Sequence, residues 1–226
     1  MATRRVHLRE RSMAAEPVRL RLVSSGESPE GQDVPSGPLR DLTDAQLVAL
    51  TASGETAAFE ALYRRYAPFA LNLAVRLQGS ASDVEDVVHD AFLRAHARLD
   101  SLRDAGAFRA WLGSIIVRLV RTRMRRRRLL RTLGIIQAGE PVDLDAVASS
   151  DAGPEVRALL AQVYALLQTM PTNDRIAWTL RYVERHRLEA VANLANCSLA
   201  TAKRRIHRAQ QFLGEHFVST MTEAPL

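Results

Sequence analysis

The chain has 226 residues and a formal net charge of +6, with 47% hydrophobic but only 5% aromatic residues. This length allows one or two domains with real hydrophobic cores, and the abundance of Ala and Leu favours helices over strands. No apolar run reaches the roughly 18 residues of a membrane span, and no apolar stretch of a secretory signal follows the N-terminal arginines. A single cysteine excludes an internal disulfide and fits a reducing compartment, so we expect a cytoplasmic protein.

The positive charge is concentrated in one segment. Eight Arg and no acidic residue lie between positions 118 and 131, so the rest of the chain is slightly acidic. Concentrated basic charge is the electrostatic footprint of a protein that binds a polyanion. A basic helix can also lie on an anionic membrane surface, but that mode needs a broad apolar face with large side chains.

The N-terminal segment shows no sustained hydrophobic period. Residues 1–40 hold four Pro with scattered Gly and Ser, which predicts a disordered extension. Order is expected from Asp41 onward. Thr43 and Gln46 have the spacing of a capping box at the start of a short helix, and Gly54 is expected to end that helix.

Two further helices are predicted before position 100. The first runs from about Thr56 to Gly79, and Pro68 is expected to break or restart it. Ser82 and Glu85 have the capping-box spacing for the second helix. The inward stripe of this second helix is expected to comprise Val84, Val88, Ala91, Ala95 and Leu99.

A long helix is predicted from about Ala107, and it ends in the arginine run. Its expected buried stripe comprises Phe108, Trp111, Leu112, Ile115 and Leu119. Four arginines at steps of three and four form one ridge: Arg118, Arg121, Arg125 and Arg128. A solvated face normally mixes charge signs, so this ridge predicts contact with phosphates and a steep salt dependence of binding.

The helix before it is acidic at its start, where Asp83, Glu85, Asp86 and Asp90 lie within two turns. Acidic residues near a helix N-terminus are favoured by the helix dipole, each by roughly 0.3–1 kcal/mol, which is a structural reason for them. The same cluster would also make a docking surface for a basic protein. Composition alone leaves both interpretations open.

The pattern predicts an all-α protein of two small helical domains, 41–131 and 155–217. Residues 132–154 contain four acids and no Lys or Arg, which indicates a flexible acidic linker. Residues 218–226 are interpreted as a tail. No β-type alternation and no repeat is evident.

The second domain contains a helix-turn-helix pattern over 188–210. A short helix from Leu188 to Leu194 precedes a turn at 196–198, and Ser198 is a good N-cap for the next helix. That helix has an apolar stripe of Leu199, Ala202, Ile206, Ala209 and Leu213. Its opposite face and flanks carry Thr201, Lys203, Arg204, Arg205 and Arg208. A helix fits the major groove of DNA, so we expect this face to bind DNA.

With these parts placed, the chain resembles an extracytoplasmic-function sigma factor of bacterial RNA polymerase. The resemblance covers about 41–131 and 155–213. The matching segments are AAFEALYRRY at 57–66, DVEDVVHDAFLRA at 83–95, FRAWL at 108–112, LRYVE at 180–184 and AKRRIHRA at 202–209.

The resemblance implies a role for each surface. The acidic residues Asp83, Glu85, Asp86 and Asp90 would dock on core RNA polymerase. The second domain would read the promoter −35 element through Ser198, Thr201, Lys203, Arg204, Arg205 and Arg208. The first domain would bind the −10 element and the opened DNA strands through Ser101, Leu102, Arg103, Arg118, Arg121, Arg125, Arg126 and Arg128. An anti-sigma factor is a plausible further partner, and no cofactor, metal or membrane insertion is implied.

The chain departs from the family pattern at four positions. The family often has Asn where this chain has Arg118, Asp where it has Thr122, and Gln where it has His89. The first two departures favour phosphate contact over base preference. Asn196 stands where the turn usually has Gly, and Asn tolerates the left-handed conformation.

Three other functions fit parts of the sequence pattern. A stand-alone helix-turn-helix regulator usually binds paired half-sites as a dimer, but no dimer heptad is present and the acidic helix would be unexplained. A phosphohydrolase built on His89 and Asp90 lacks further clustered ligands. A protein-only adaptor is a third possibility, and negligible salt dependence of nucleic-acid binding would favour it. We therefore expect a sigma factor that is not itself an enzyme.

Overall fold

The computed structural model describes residues 38–135, 143, 148 and 152–222, apart from the side chains of 38 and 217–222. All regular structure in these residues is helical, as the sequence predicts. The α-helices are α1 (Asp44–Ala52), α2 (Thr56–Gln78), α3 (Val84–Ala97), α4 (Phe108–Thr132), α5 (Pro154–Thr169), α6 (Thr172–Trp178), α7 (Leu188–Leu194) and α8 (Leu199–Thr222). The 3-10 turns at Pro38–Arg40, Leu99–Ser101 and Ala105–Ala107 and a π turn at Thr179–Val183 complete the chain.

The first helix begins as predicted. The Gln46 amide donates to the Thr43 hydroxyl (3.3 Å) and the Thr43 amide donates to the Gln46 side chain (2.8 Å), so the capping box is complete. The helix ends at Ala52, just before Gly54, which adopts a φ of +97°.

The prediction that Pro68 interrupts α2 is wrong, because the helix runs unbroken through it. Proline removes one backbone hydrogen bond and costs about 3 kcal/mol inside a helix. Here its ring is exposed, and buried residues such as Leu62 and Leu73 continue the inward face on both sides of it. Each such side chain contributes about 1.5–3 kcal/mol on burial, so packing carries the helix through the proline. Gly79 ends α2 as predicted, in a left-handed conformation with φ +69°.

The capping box predicted for α3 is also wrong. Asp83 occupies the N-cap position with φ 55°, and no side chain caps this helix. The Ser82 hydroxyl instead accepts a hydrogen bond from Arg127 (3.2 Å), and Asp83 forms an ion pair with the same arginine (2.6 Å). A tertiary contact has therefore replaced the local one. The predicted inward stripe is buried throughout, from Val84 to Leu99.

The buried face of α4 is broader than predicted. Phe108, Leu112 and Leu119 are buried as expected, whereas Trp111 and Ile115 are only half-buried. Four residues outside the predicted stripe are also buried: Gly113, Ile116, Val117 and Val120. The reason is that α4 packs against α2 and α3 on one side and against α6 and α7 on another.

In the C-terminal half, α5 to α8, the helix-turn-helix lies where the sequence predicts it, and α8 continues to Thr222, into the predicted tail. The α7 helix has the predicted ends, and α8 begins at Leu199. The α8 stripe is buried at Ala202, Ile206, Ala209 and Leu213, but Leu199 is 38% exposed, contrary to prediction. Side chains lean toward the N-terminus of their helix. The Leu199 side chain, at the first position of α8, therefore points past the end of the helix and is only partly covered.

The two predicted domains share one hydrophobic core. The largest buried cluster joins residues of the N-terminal half, α1 to α4, with Ile176, Leu180, Val191 and Leu194 of the C-terminal half. A smaller cluster of Tyr164, Leu167, Met170, Ala209 and Leu213 lies under α5 and α8. Residues from 37 on form one compact unit. The predicted extension lies outside the described residues up to position 37. Its last three residues, Pro38–Arg40, form a 3-10 turn whose Leu39 packs on the main core, so order begins before the predicted Asp41. Most of the predicted linker falls outside the described residues.

Candidate nucleic-acid interface

The turn between α7 and α8 has the geometry of a helix-turn-helix. Asn196 adopts φ 47°, the left-handed conformation expected of it, and the Cys197 amide donates to the Ala192 carbonyl (2.9 Å). The Ser198 hydroxyl accepts from the Thr201 amide (3.2 Å) and donates to the Thr201 hydroxyl (2.9 Å). Ser198 is therefore the N-cap of α8, as predicted, and Thr201 is held beside it.

The cationic side chains on the outward face of α8 differ in their exposure and in their ion pairing. Lys203 and Arg204 are exposed, and Arg205 is half-buried. Arg208 forms a bidentate ion pair with Asp174 of α6, with Nε–Oδ2 and Nη2–Oδ1 distances of 3.0 and 2.7 Å. Asp174 is 4% exposed, and its hydrogen bonds and charge raise the pKa of Arg208 above the usual arginine range. Arg208 therefore anchors α8 to α6 and keeps only part of its five N–H donors for another ligand.

The acidic start of α3 is already paired with α4. Arg123 donates to the Asp90 carboxylate (3.1 Å) and the Asp83 carbonyl (3.1 Å), and it lies 3.9 Å from the Asp86 carboxylate. Asp86 is the most accessible of these carboxylates, with 74% of its side chain exposed. Glu85 is also exposed. The same residues therefore pair internally and face solvent, and both interpretations of the acidic cluster stay predictions.

Two of the predicted DNA-binding arginines of α4 face the C-terminal half. Arg121 donates to the Ala195 carbonyl (3.1 Å) at the end of α7, and Arg128 donates to the Met170 carbonyl (3.4 Å) after α5. Helix C-termini attract cations because their carbonyls are unpaired. Burial, and then repulsion from Arg125, Arg118 and Arg205, lowers the pKa of Arg121 from the usual arginine value.

The remaining predicted arginines of α4 face solvent. Arg118, Arg125 and Arg126 are exposed. Arg125 and Arg128 line an open cleft of about 410 Å³ that α4 forms with the start of α6. These side chains can meet phosphates without any rearrangement of the fold.

The predicted −10 loop lies between α3 and α4. Ser101 is exposed and its hydroxyl donates to the Arg98 carbonyl (2.7 Å), while Arg103 is exposed. Leu102 is half-buried against the main hydrophobic core. The loop is thus anchored on the core by Leu99 and Leu102, and it presents the polar groups of Ser101 and Arg103 to solvent.

A polar seam joins the two halves at the end of α2, and it was missed by sequence reasoning. Arg175 of α6 is 5% exposed and donates to the Gln78 carbonyl (2.6 Å). The Tyr164 hydroxyl donates to the Arg76 carbonyl (3.1 Å), and the Arg76 side chain pairs with Glu184 (3.0 Å). No local pattern distinguishes Arg175 from the chain's other cations, so only the burial pattern reveals it.

The alternative site at His89 and Asp90 has the wrong surroundings for a metal. Asp90 is engaged by the Arg123 guanidinium (3.1 Å), and a cation in that position opposes a divalent ion. Within the described ranges, no group of three metal-ligating side chains occurs. The helices of these described residues likewise include none with an apolar stretch sufficient for a transmembrane segment.

Comparisons with known proteins agree with this geometry. The sequence matches the family models of Sigma-70 region 2 over residues 62–129 and Sigma-70 region 4 over residues 160–213. It is 30% identical over 188 residues to RNA polymerase sigma-H factor of Pseudomonas aeruginosa, covering 80% of this chain and 97% of that protein. It is 31% identical over 186 residues to the extracytoplasmic-function sigma-E factor of Escherichia coli, covering 75% and 92%.

A solved structure has a similar fold. CnrH, in complex with the cytosolic domain of CnrY, aligns with a TM-score of 0.52 at 28% identity and covers 78% of this chain and 97% of its own. The first matched segment contains the arginine helix, and the second contains the helix-turn-helix. The chain belongs to the extracytoplasmic-function family of RNA polymerase sigma factors.

Proposed function

We propose that this chain gives bacterial RNA polymerase its promoter specificity and assists strand opening by binding energy, without covalent catalysis of its own. The observation that carries the proposal is the pairing of two matched segments, each with an exposed cationic helix. A stand-alone regulator has no use for the first segment, and the relatives are sigma factors. Transcription initiation takes place where bacterial RNA polymerase is, so we propose that the protein is cytoplasmic.

For the −35 element, we assign the leading role to Arg204 and Lys203. Both lie near the start of α8 and are exposed, and residues in the first turns of a recognition helix reach base edges. Ser198 and Thr201 lie at the helix start, where phosphate oxygens approach. Arg205 and Arg208 are placed at the flank, where Arg208 also orients the helix through Asp174.

For the −10 element and the opened strands, we assign the first contacts to Arg118, Arg125 and Arg126. All three are exposed on α4. Ser101, Leu102 and Arg103 are proposed to contact the −10 element in the neighbouring loop. Arg128 is exposed as well and is proposed to join them from the open cleft. Arg121 joins them only if its contact with the Ala195 carbonyl is released.

For core polymerase, we assign the outer face of α3. Asp86 and Glu85 project furthest into solvent, and Asp83 and Asp90 flank them in partial ion pairs with α4. We expect Asp86→Arg to weaken retention on immobilised core polymerase about tenfold or more, because a like charge replaces an attractive one at a docking surface. Full retention would reject this assignment. Glu60→Arg, the same charge reversal on the exposed surface of α2, is the matched control.

A partner that restrains the chain is part of the same proposal. The resemblance to the family makes an anti-sigma factor plausible, and CnrH was solved with a protein partner. Co-purification from cells that express a tagged chain, followed by competition with core polymerase, tests it. A bound protein that core polymerase does not displace would argue against an anti-sigma role.

The decisive experiment is reconstitution with core polymerase, followed by sequencing of transcript starts. The proposal predicts initiation at promoters that share two motifs and little duplex binding by the chain alone. Tight, specific binding of duplex DNA without polymerase would favour the stand-alone regulator instead. Initiation indistinguishable from that of core polymerase alone would overturn the proposal.

A further inference from the structure

We propose that a cavity between α2, α4 and α7 is a binding site for a small organic anion with an aromatic body and one carboxylate. The cavity has a volume of about 640 Å³, within the roughly 300–1,000 Å³ of ordinary ligand pockets. None of the residues assigned above to DNA or to polymerase lines it. This inference therefore stands apart from the proposed function.

Small residues leave the cavity open. Gly106 and Ala107 of the turn before α4, Ala110 of α4 and Ala190 of α7 line its walls. A longer side chain at any of these positions would take up part of the space. The walls come from distant parts of the chain, so the cavity is a product of tertiary packing.

The floor of the cavity is apolar. Leu73 and Leu194 are buried there, and Phe69 and Trp111 are half-buried beside them. Behind them lies Gly113 of α4, where a Cβ atom would be 3.2 Å from Leu194 Cδ2 and 3.6 Å from Phe69 Cζ. The missing side chain lets these residues pack onto the backbone of α4. An apolar group of a ligand would be removed from water on this floor.

Two aromatic rings favour an aromatic ligand. Phe69 and Trp111 both line the cavity and are only half-buried. Aromatic rings attract a further ring through offset or edge-on contacts with centroids about 4.5–7 Å apart. Trp111 also contacts the buried Phe108, with 6.0 Å between the ring centroids, which restrains its orientation. A planar aromatic body therefore suits this cavity better than a flexible aliphatic chain.

The charge at the cavity is positive. The guanidinium carbon of Arg109 lies 4.5 Å from the centre of the Phe69 ring, and Arg109 makes no hydrogen bond or ion pair with another described residue. No Asp or Glu is among the described residues that line the cavity. A planar guanidinium with unused donors binds a carboxylate through two parallel hydrogen bonds. The cavity thus selects an anion over a cation of the same shape.

Three neutral or weakly basic side chains complete the lining: Ser114, His186 and Asn193. The Ser114 hydroxyl already donates to the Trp111 carbonyl (2.7 Å), so it can only accept from a ligand. The Asn193 amide, exposed on α7, offers both a donor and an acceptor. A few polar groups around an apolar floor are typical of a ligand site.

The test uses the full chain, labelled with ¹⁵N, and 1-naphthylacetate as the probe. The chain has two tryptophans, and the Trp178→Phe variant assigns their indole N–H signals. The Trp111 signal is expected to shift saturably as the probe is added. The Trp178 indole donates to Gln210 (2.9 Å) outside the cavity, so its signal should stay in place. No shift, or equal shifts of both signals, would overturn the inference.

Two further probes test the charge. 1-Naphthylmethanol is neutral and 1-naphthylmethylammonium is cationic, and both should bind about tenfold or more weakly than the carboxylate. Arg109→Glu should reverse the order of the two charged probes. Arg94→Glu, the same reversal at an exposed position of α3 outside the cavity, should keep the wild-type order. An unchanged order in Arg109→Glu would show that this arginine does not bind the carboxylate, and the inference would fail.

A second pair of variants tests the space. Ala110 is exposed, so Ala110→Leu places its added atoms in the cavity and not in the core. It should weaken binding of 1-naphthylacetate about tenfold, with an unchanged circular dichroism spectrum. Ala49→Leu, on the exposed face of α1, is the control and should bind like wild type. Wild-type affinity in Ala110→Leu would overturn the inference.

These measurements use the free chain, so they are separate from transcription assays. A chain that binds the probe at Trp111 but never directs initiation would leave the site standing and reject the proposed function. A chain that directs initiation but does not bind the probe would reject the site alone.

Discussion

The two cationic helices look alike in sequence but are used differently by the fold. In α4, Arg121, Arg123, Arg127 and Arg128 all donate to oxygens of neighbouring elements. In α8, the bidentate pair with Asp174 occupies Arg208, while Lys203 and Arg204 are exposed. A run of arginines therefore overstates the charge that is available to DNA, and the difference between the helices is a difference in what packs beside them.

The largest expected effect concerns the exposed end of α8. Arg204→Ala should weaken recognition of the upstream element by about 1–3 kcal/mol if the arginine contacts a base in a bidentate manner. Its unfolding free energy should change by less than about 0.5 kcal/mol, because the side chain is exposed. Initiation rates on promoters with intact and randomised upstream elements measure the effect. Equal rates from Arg204→Ala and wild type on every promoter would show that the exposed arginine of α8 does not contact the upstream element.

The next effect concerns the arginine of α8 that is already paired. Arg208→Ala leaves the Asp174 carboxylate, which is 4% exposed, without its bidentate partner. Leaving a buried acceptor unsatisfied costs about 1–3 kcal/mol, so the unfolding free energy should fall by about 2 kcal/mol. Urea denaturation followed by circular dichroism measures it. The control is the unfolding free energy of Arg204→Ala. Equal unfolding free energies for the two variants would show that the ion pair does not anchor α8.

A smaller effect separates two adjacent arginines of α4. Arg127→Ala removes the partner of Asp83 and Ser82 and should lower the unfolding free energy by about 1 kcal/mol. Arg126→Ala, on the exposed side, should leave stability within about 0.5 kcal/mol of wild type. Thermal and urea denaturation of the two variants provide the measurement. The reverse order would mean that the α3–α4 contacts do not hold the helices together.

The smallest expected effect is on DNA binding, at the exposed Arg126 of α4. Arg126→Ala should weaken binding of the holoenzyme uniformly across promoters and reduce the salt slope of log K by about one unit, as expected for a lost phosphate contact. Titrations of a labelled promoter at several salt concentrations give the slope. A slope that does not change, together with altered sequence preference, would identify a base contact instead.

Local sequence patterns anticipated most helices and many of their ends. The capping box at Thr43, the glycine that ends α2 and the N-cap at Ser198 were all predictable, because each depends on atoms within a few residues. The interruption at Pro68 and the capping box at Ser82 were mispredicted for one reason. In each case distant residues supplied energy that the local pattern does not contain.

The sequence by itself determined the helical class, the helix-turn-helix and the two cationic segments, because helix period and turn preferences act over three or four residues. Only the tertiary structure decided which arginines are available and how the halves join. Arg123 meets Asp90 across 33 positions, and Arg175 meets Gln78 across 97. Such pairs form where helices pack side by side, and no periodicity along the chain specifies which distant residues will meet.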